Sequence, residues 1–293
     1  MTSLDLRPLS GTFGARVRGC DLARGVDDAL AAAIRQAVLD HKVLVFTEQS
    51  PLSTEAQVAF ARRFGDIETE FPSFAAKTAP EVTVFDARVP SGRASIWHTD
   101  LSVSERPTAF GILCMKRTPA RGGDTLWADL EAAYDDLSPG MRRILEDLSA
   151  IHDMHAPEYA QRPGALVVGD RRDIDFSRVP RARHPVVRVH PETGRRCLFV
   201  NPFFTSHIEG LSSDESACLL NFLYARMQRP EIGLRWHWTE GDVAMWDNRS
   251  TMHAAVDDYG AGERFAQRVC VRGDVPFGVR AATVEAPASA IPS

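Results

Sequence analysis

The stretch Leu234-Arg-Trp-His-Trp-Thr-Glu-Gly-Asp-Val-Ala-Met-Trp246 reads as two extended runs, residues 234–238 and 243–246, on either side of Glu240-Gly241. Aromatic and β-branched residues fit a pleated, half-buried surface, and a Gly-containing turn between two such runs is a hairpin signal. The pattern recurs upstream, where residues 186–190 and 197–201 flank Pro191-Glu-Thr-Gly194. Residues 43–46, 107–116 and 124–126 are further extended runs, and residues 264–272 alternate. Strands separated by turns, with few helices between them in the C-terminal half, predict a mainly β core of the sandwich or barrel kind. The helices then pack outside it.

Those helices have their own signals. Asp27 is placed to cap a segment in which Leu30, Ile34 and Val38 recur every four residues. Thr54-x-x-Gln57 reads as a capping box for a helix running to Phe64 and stopped by Gly65. Ser138 before Pro139 starts a helix with Met141, Leu145 and Leu148 along one side. Ser212-x-x-Glu215 starts another, carrying Leu219, Phe222 and Leu223. No G-x-G-x-x-G, P-loop or G-x-S-x-G is present, so nucleotide and serine-hydrolase readings lack support.

Composition narrows the class further. The 293 residues are 44% hydrophobic and 25% charged, enough for a sizeable core. Residues 1–280 read as one domain, and the Ala/Pro/Ser-rich residues 281–293 read as a loose tail. The 34 Lys+Arg against 39 Asp+Glu leave a net charge of −5, unfavourable for sequence-independent nucleic-acid binding. No apolar run approaches the roughly 20 residues of a membrane helix, and no signal-peptide pattern opens the chain. The five cysteines are scattered without a C-x-x-C pair, the pattern of reduced thiols in a cytoplasmic protein.

Nine histidines include three that begin an H-x-[D/E] triplet: His98-Thr-Asp100, His190-Pro-Glu192 and His207-Ile-Glu209. On an extended chain, residues i and i+2 share a face, so such a triplet can offer two ligands to one metal. His190 runs into a turn and His207 lies just before a helix start, which leaves His98 and Asp100 as the candidate pair. His253, after the 243–246 run, is the candidate third ligand. Each also reads as an ordinary hydrogen-bonded side chain. Two His and one carboxylate with open positions suit non-haem Fe(II) oxygenases. Zinc hydrolases use the same ligand types, so the triad leaves the metal open.

The alternation after residue 264 adds a second feature. Arg264, Ala266, Arg268, Cys270 and Arg272 share one strand face, and Phe265, Gln267, Val269 and Val271 share the other. With the second face on the core, the arginines are simply solvated. With the first face inward, buried guanidinium groups demand anionic partners, and Arg264 and Arg268 become a receptor for an anionic small molecule.

Together these residues resemble the TauD/TfdA family of Fe(II)- and 2-oxoglutarate-dependent dioxygenases. The stretches that carry the likeness are Trp97-His-Thr-Asp100, Gly122-Gly-Asp-Thr-Leu-Trp127, His184-Pro-Val-Val187, Leu198-Phe-Val-Asn201, Phe204-Thr-Ser206, Trp246-Asp-Asn-Arg249, and His253 followed by Arg264 and Arg268. The resemblance implies an α+β protein with a double-stranded β-helix, the cupin-like jelly roll, and helices outside. It implies His98, Asp100 and His253 as the Fe(II) triad, with Arg264 and Thr125 holding the distal carboxylate of 2-oxoglutarate and Arg268 serving substrate or cosubstrate. It implies O2-dependent hydroxylation of a C–H bond with release of succinate and CO2, and a homo-oligomer, dimer or tetramer.

The resemblance also places Val103, Met154 and Phe204 against the substrate. Taurine-type members have aromatic residues at the first two of these positions, a His after the Phe-Gly-Asp stretch and a polar residue where Ala94 stands. Here Phe64-Gly-Asp66 is followed by Ile67-Glu-Thr-Glu70, and an acidic Glu68 or Glu70 near the pocket would repel a sulfonate. A larger, less polar acid, an alkyl sulfate or a natural-product intermediate fits better than taurine. Trp127-Ala-Asp129 and Gly241-Asp-Val-Ala-Met-Trp-Asp247 are similar to alkylsulfatase-type members. A catalytically silent jelly-roll binding module and a zinc hydrolase are the competing readings.

Overall fold

The computed structural model describes residues 4–69, 75–76, 79–87, 95–154, 179–260 and 262–280. Along them run β1 (Asp5–Pro8), β2 (Ala15–Arg18), α1 (Asp28–His41), β3 (Val43–Phe46), α2 (Thr54–Arg62), β4 (Ala75–Ala76), β5 (Ala79–Asp86), β6 (Thr108–Arg117) and β7 (Thr125–Asp129). Then follow α3 (Leu130–Asp135), α4 (Pro139–Leu145), β8 (Ser149–His152), β9 (Ala182–Pro185), β10 (Val187–Val189), β11 (Arg196–Leu198) and β12 (Thr205–Ile208). The C-terminal part holds α5 (Ser213–Met227), β13 (Gly233–Trp236), β14 (Val243–Asp247), β15 (Thr251–Ala255) and β16 (Phe265–Arg272). Glu70, Ala94 and the tail at 281–293, each named above, lie outside the described residues.

The largest sheet has the order β1-β2-β3-β14-β6-β16-β5-β4, and β13-β7-β15 form a smaller one. Strand alternation sorts the side chains of the large sheet into two layers. Leu44 and Phe46, Ile112 and Cys114, Val243 and Met245, and Val269 and Val271 pack with Ile34 and Val38 of α1 and Val58 and Ala61 of α2. Val43, Val45, Leu113, Met115, Ala244, Trp246 and Ala266 face the other way, onto Trp127, Leu234 and Trp236 of the smaller sheet. The outer face of β7 and β15, through Ala128 and Met252, packs on α3 and α5. The result is the jelly roll, two sheets face to face with helices outside.

The stretch 234–246 is not a hairpin. β13 pairs with β7 in the small sheet, whereas β14 lies between β3 and β6 in the large one. The connection therefore crosses between sheets, which sends Trp236 and Trp246 into the same interior layer. The buried Asp242 carboxylate fixes the crossing, accepting from Trp236 Nε1 at 3.1 Å and Thr239 N at 2.9 Å. A turn signal reports that the chain reverses and is silent about which strand it then joins. The other hairpin does form, with β10 antiparallel to β11.

The helix signals resolve in similar detail. Asp27, Ser138 and Ser212 cap α1, α4 and α5, and Ser212 with Glu215 makes a capping box. The cap of α2 is Ser53 rather than Thr54, and the helix ends at Arg62. Gln57 is fully buried and donates to the carbonyls of Ile112 and Gln267, tying α2 to β6 and β16. On α5, Leu223 is buried while Phe222 is exposed, with Arg226 over its ring. No helix among the described residues is long and apolar enough to cross a membrane.

Candidate active site

The inward face of β16 decides what the interior holds. Ala266 packs in the layer between the sheets, so Arg264 and Arg268, two residues to either side, point the same way. Both are buried, and both line a cavity with Phe85, Leu113, Thr125, Trp127, Trp238, Trp246, His253 and Ala255. The space among these side chains amounts to about 420 Å³ with open solvent counted in, so the cavity is open at one side rather than enclosed.

His253 lines this cavity, and with it His98 and Asp100 form a cluster, all buried, each with a ligand atom within 4.8 Å of the others. The two histidines are locked together through the backbone. His98 N donates to His253 O at 2.9 Å, and His253 N donates to His98 O at 2.8 Å. Asp100 lies two residues beyond His98, at the start of a turn rather than on the extended segment that the triplet reading assumed. His98 Nδ1 hydrogen-bonds the Ile96 carbonyl at 2.7 Å, which fixes the proton on Nδ1 and leaves Nε2 as the donor atom toward the triad.

The electrostatics favour the metal-binding protonation states. Burial alone would raise the Asp100 pKa, but Arg268, with Nη1 2.5 Å from Oδ1, and the two histidines hold it well below the usual carboxylate range. Burial, with His98 and Arg268 nearby, drives the His253 pKa far down, so its imidazole is neutral. Asp100 Oδ2 is buried without a hydrogen-bond partner, 3.7 Å from His253 Nε2. Orphaned buried acceptors are costly, and a divalent cation among two neutral imidazoles and one carboxylate removes that cost. The residues fit such an ion.

Arg264, in the same cavity, is held by a single bond, Nε to the Gly123 carbonyl at 3.0 Å, and no carboxylate among the described residues pairs with it. Burial lowers its pKa. Gly123 has φ +71 and crowds the Arg264 stem, so the Gly122-Gly123 turn is shaped around this side chain. The Thr125 hydroxyl accepts from Trp238 Nε1 at 2.9 Å, so its own hydrogen is left to donate into the cavity. The nearby Asp124 carboxylate takes Arg235 Nε at 2.5 Å and His237 Nδ1 at 2.7 Å, which anchors the start of β7.

Not every residue named from sequence comes to this cavity. Val103, Met154 and Phe204 are buried, but none lines it. Phe204 stands edge-on to His98, with ring centroids 6.3 Å apart, and also meets edge-on the ring of Phe203, which sequence reading missed. Glu68 does not stand as a free acid, because Arg272 Nε meets its Oε2 at 3.3 Å. Also missed were Phe85, Leu113 and Trp238 in the wall, and Asn248 behind Asp100. Asn248 lies within the quoted Trp246-Asp-Asn-Arg249, but nothing in a linear reading says what its amide touches.

Comparison with known proteins decides the family. The chain matches the Taurine catabolism dioxygenase TauD, TfdA family over residues 5–270. It belongs to the TauD/TfdA family. It is 37% identical to the alkylsulfatase of Acinetobacter baylyi, over 94% of this chain and 87% of that protein. It is 36% identical to the alpha-ketoglutarate-dependent sulfate ester dioxygenase of Pseudomonas putida, over 94% of this chain and 92% of that one. A solved taurine dioxygenase from Burkholderia xenovorans superposes with a TM-score of 0.81 at 35% identity, covering 95% of this chain and 92% of that chain. This TauD/TfdA member is thus a 2-oxoglutarate-dependent non-haem iron dioxygenase, which decides among the dioxygenase, the silent module and the zinc hydrolase.

Proposed function

We propose that this enzyme holds Fe(II) with His98, Asp100 and His253, binds 2-oxoglutarate between that ion and Arg264, and hydroxylates the carbon that bears the sulfate group of an alkyl sulfate ester. The observation that carries the reading is a buried, unpaired guanidinium, Arg264, lining the same cavity as His253. Two neutral imidazoles and one carboxylate leave a ferrous ion with one positive charge. A dicarboxylate then meets a cation at each end, and the Thr125 hydroxyl adds a donor beside Arg264. The bound iron supplies the O2-activating redox chemistry that oxidises 2-oxoglutarate to succinate and CO2.

The protein's own groups set the rest. Arg268 neutralises Asp100 and keeps it ionised, and Phe85, with the Arg268 guanidinium 4.9 Å from its ring centre, closes the wall behind it. In this reading the buried Val103, Met154 and Phe204, the last edge-on to His98, supply an apolar surface for the substrate chain. Val103 and Met154 stand where taurine-type members have aromatic residues. The product RCH(OH)OSO3⁻ breaks its C–O bond to sulfate as the hydroxyl proton leaves, giving RCHO and HSO4⁻. The sulfate-ester choice rests on the two relatives at 36–37% identity. The same proposal takes the protein as a cytoplasmic homo-oligomer, dimer or tetramer, tested by light scattering on the purified chain. Its cysteines are all free, and those at 20, 114, 197 and 270 are buried.

Succinate release tests the substrate class. A panel of medium-chain alkyl sulfates, taurine, aryloxyalkanoates and lipophilic acids is expected to give succinate, aldehyde and free sulfate with the alkyl sulfates. Turnover of taurine above that of every alkyl sulfate would overturn the assignment.

A further inference from the structure

The main chain of Asp100 has an unusual partner. Asn248, fully buried, accepts from Asp100 N at Oδ1, 2.9 Å away. Its Nδ2 donates to the Asp100 carbonyl at 3.1 Å and to the Thr108 carbonyl at 2.9 Å. An amide that accepts from and donates to the same residue imitates a neighbouring β-strand. No strand among the described residues is there to do so. The bridge between the triad histidines ends at His98, and Leu101 has φ 55, a left-handed conformation that leaves the extended path. Asp100 therefore sits where backbone pairing stops, and one side chain replaces the missing partner.

That side chain is itself held firmly. Asn248 N donates to Ala109 O at 2.8 Å. The preceding Asp247 carboxylate takes Arg249 Nε at 2.8 Å, Arg249 Nη2 at 2.7 Å and His190 Nε2 at 3.0 Å. Thr251 Oγ1 donates to the Asp247 carbonyl at 2.7 Å, closing the turn from β14 into β15. β15 carries His253, so Asn248 and the third triad residue belong to one braced unit.

We propose that Asn248 is a positioning residue for the metal centre. It docks the Asp100 backbone onto the turn that leads to His253, so that the carboxylate keeps Oδ1 on Arg268 and leaves Oδ2 for the ion. It touches neither the ion nor the substrate. This assignment rests on the metal reading above.

The test uses the full chain and Mn(II), a redox-stable probe, with the free ion counted by electron paramagnetic resonance. Outer groups that orient metal ligands typically change affinity by about 10- to 100-fold, and Asn248→Ala is expected to raise the Mn(II) dissociation constant within that range. Asn248→Asp keeps the acceptor for Asp100 N and loses both donors, so it is expected to fall between wild type and Asn248→Ala. The KM for 2-oxoglutarate at saturating metal should move by less than about threefold, because Arg264 and Thr125 are untouched. A folded Asn248→Ala protein with Mn(II) affinity within twofold of wild type overturns the proposal. So does failure of both variants to fold, which makes the amide merely structural. His253→Ala is the control. If wild type binds Mn(II) no better than His253→Ala does, the metal reading fails instead.

Discussion

Arg264 and Gly123 are joined by one hydrogen bond, Nε to carbonyl oxygen at 3.0 Å, and it is the only hydrogen bond that satisfies this buried guanidinium within the described residues. The bond orients the side chain without neutralising it. A buried cation without an ion-pair partner is tolerated where an anion is expected, and the proposed anion is the carboxylate of 2-oxoglutarate farthest from the iron.

Removing that cation should be felt mainly by the cosubstrate. Arg264→Ala deletes a charge-assisted pair worth on the order of 2–5 kcal/mol. The apparent KM for 2-oxoglutarate is expected to rise at least about tenfold, since each 1.4 kcal/mol is a factor of ten. Initial-rate kinetics at saturating substrate measure it, and a KM within twofold of wild type would refute the role.

The triad makes a spectroscopic prediction. Fe(II) and 2-oxoglutarate added without oxygen should give a visible metal-to-ligand charge-transfer band. His253→Ala should abolish it, because the remaining pair, His98 Nε2 and Asp100 Oδ1 at 3.5 Å, no longer completes the facial set. An unchanged band in the variant would remove His253 from the ligand set.

Acid should destabilise the fold through His184. Burial, with Arg188 adding to it, lowers the His184 pKa from 6.5 to about 4. Its Nε2–H donates to the carbonyls of Ser102 at 2.9 Å and Ser104 at 3.1 Å, just beyond Asp100. The sign follows from proton counts. Between pH 6.5 and 4 the unfolded chain binds a proton that the folded chain refuses, so stability is full above the unfolded pKa and is lost as pH falls toward the folded one. The loss amounts to about 3 kcal/mol across that window, from 1.36 kcal/mol per pKa unit. Melting curves from pH 7 to 4.5 should show a smaller drop for His184→Gln than for wild type, and equal slopes would contradict the assignment.

Packing makes the fourth prediction. Gly111 lies opposite Trp246 in the β6–β14 register, and a Cβ at Gly111 would overlap the Trp246 ring. Gly111→Ala should cost about 1–3 kcal/mol by overpacking. Since Trp246 also forms the cavity wall, KM for 2-oxoglutarate should rise as well. Thermal denaturation checks the first effect, and adding Trp246→Phe should recover part of it. An unaltered melting temperature in Gly111→Ala would show that the ring moves freely.

Much of this architecture was legible in one dimension. Polar caps and turn residues act within three or four positions, so Asp27, Ser138 and Ser212 announced α1, α4 and α5. They fail where two candidates adjoin. Ser53 and Thr54 can both cap, and burial of Gln57 against β6 and β16 settled the choice for Ser53. Alternation along residues 264–272 sorted the arginines onto one face without saying which face was inside. The 234–246 reversal likewise told nothing of its two different sheets. The pocket residues Val103 and Met154 were placed by likeness to the family, and burial away from the cavity is all that the geometry adds.

The sequence by itself determined residue types and periods: a His-x-Asp triplet, a distant His, and guanidinium groups four residues apart on one face of an alternating run. Tertiary structure decided how they divide the work. Arg268 is matched to Asp100, Arg264 is left without a carboxylate among the described residues, and Asn248 grips a backbone 148 positions away. The reason is that a side chain's charge and strand phase are local properties. Which opposite charge or unpaired amide it meets depends on strands paired across more than a hundred residues, and no period in the chain encodes that choice.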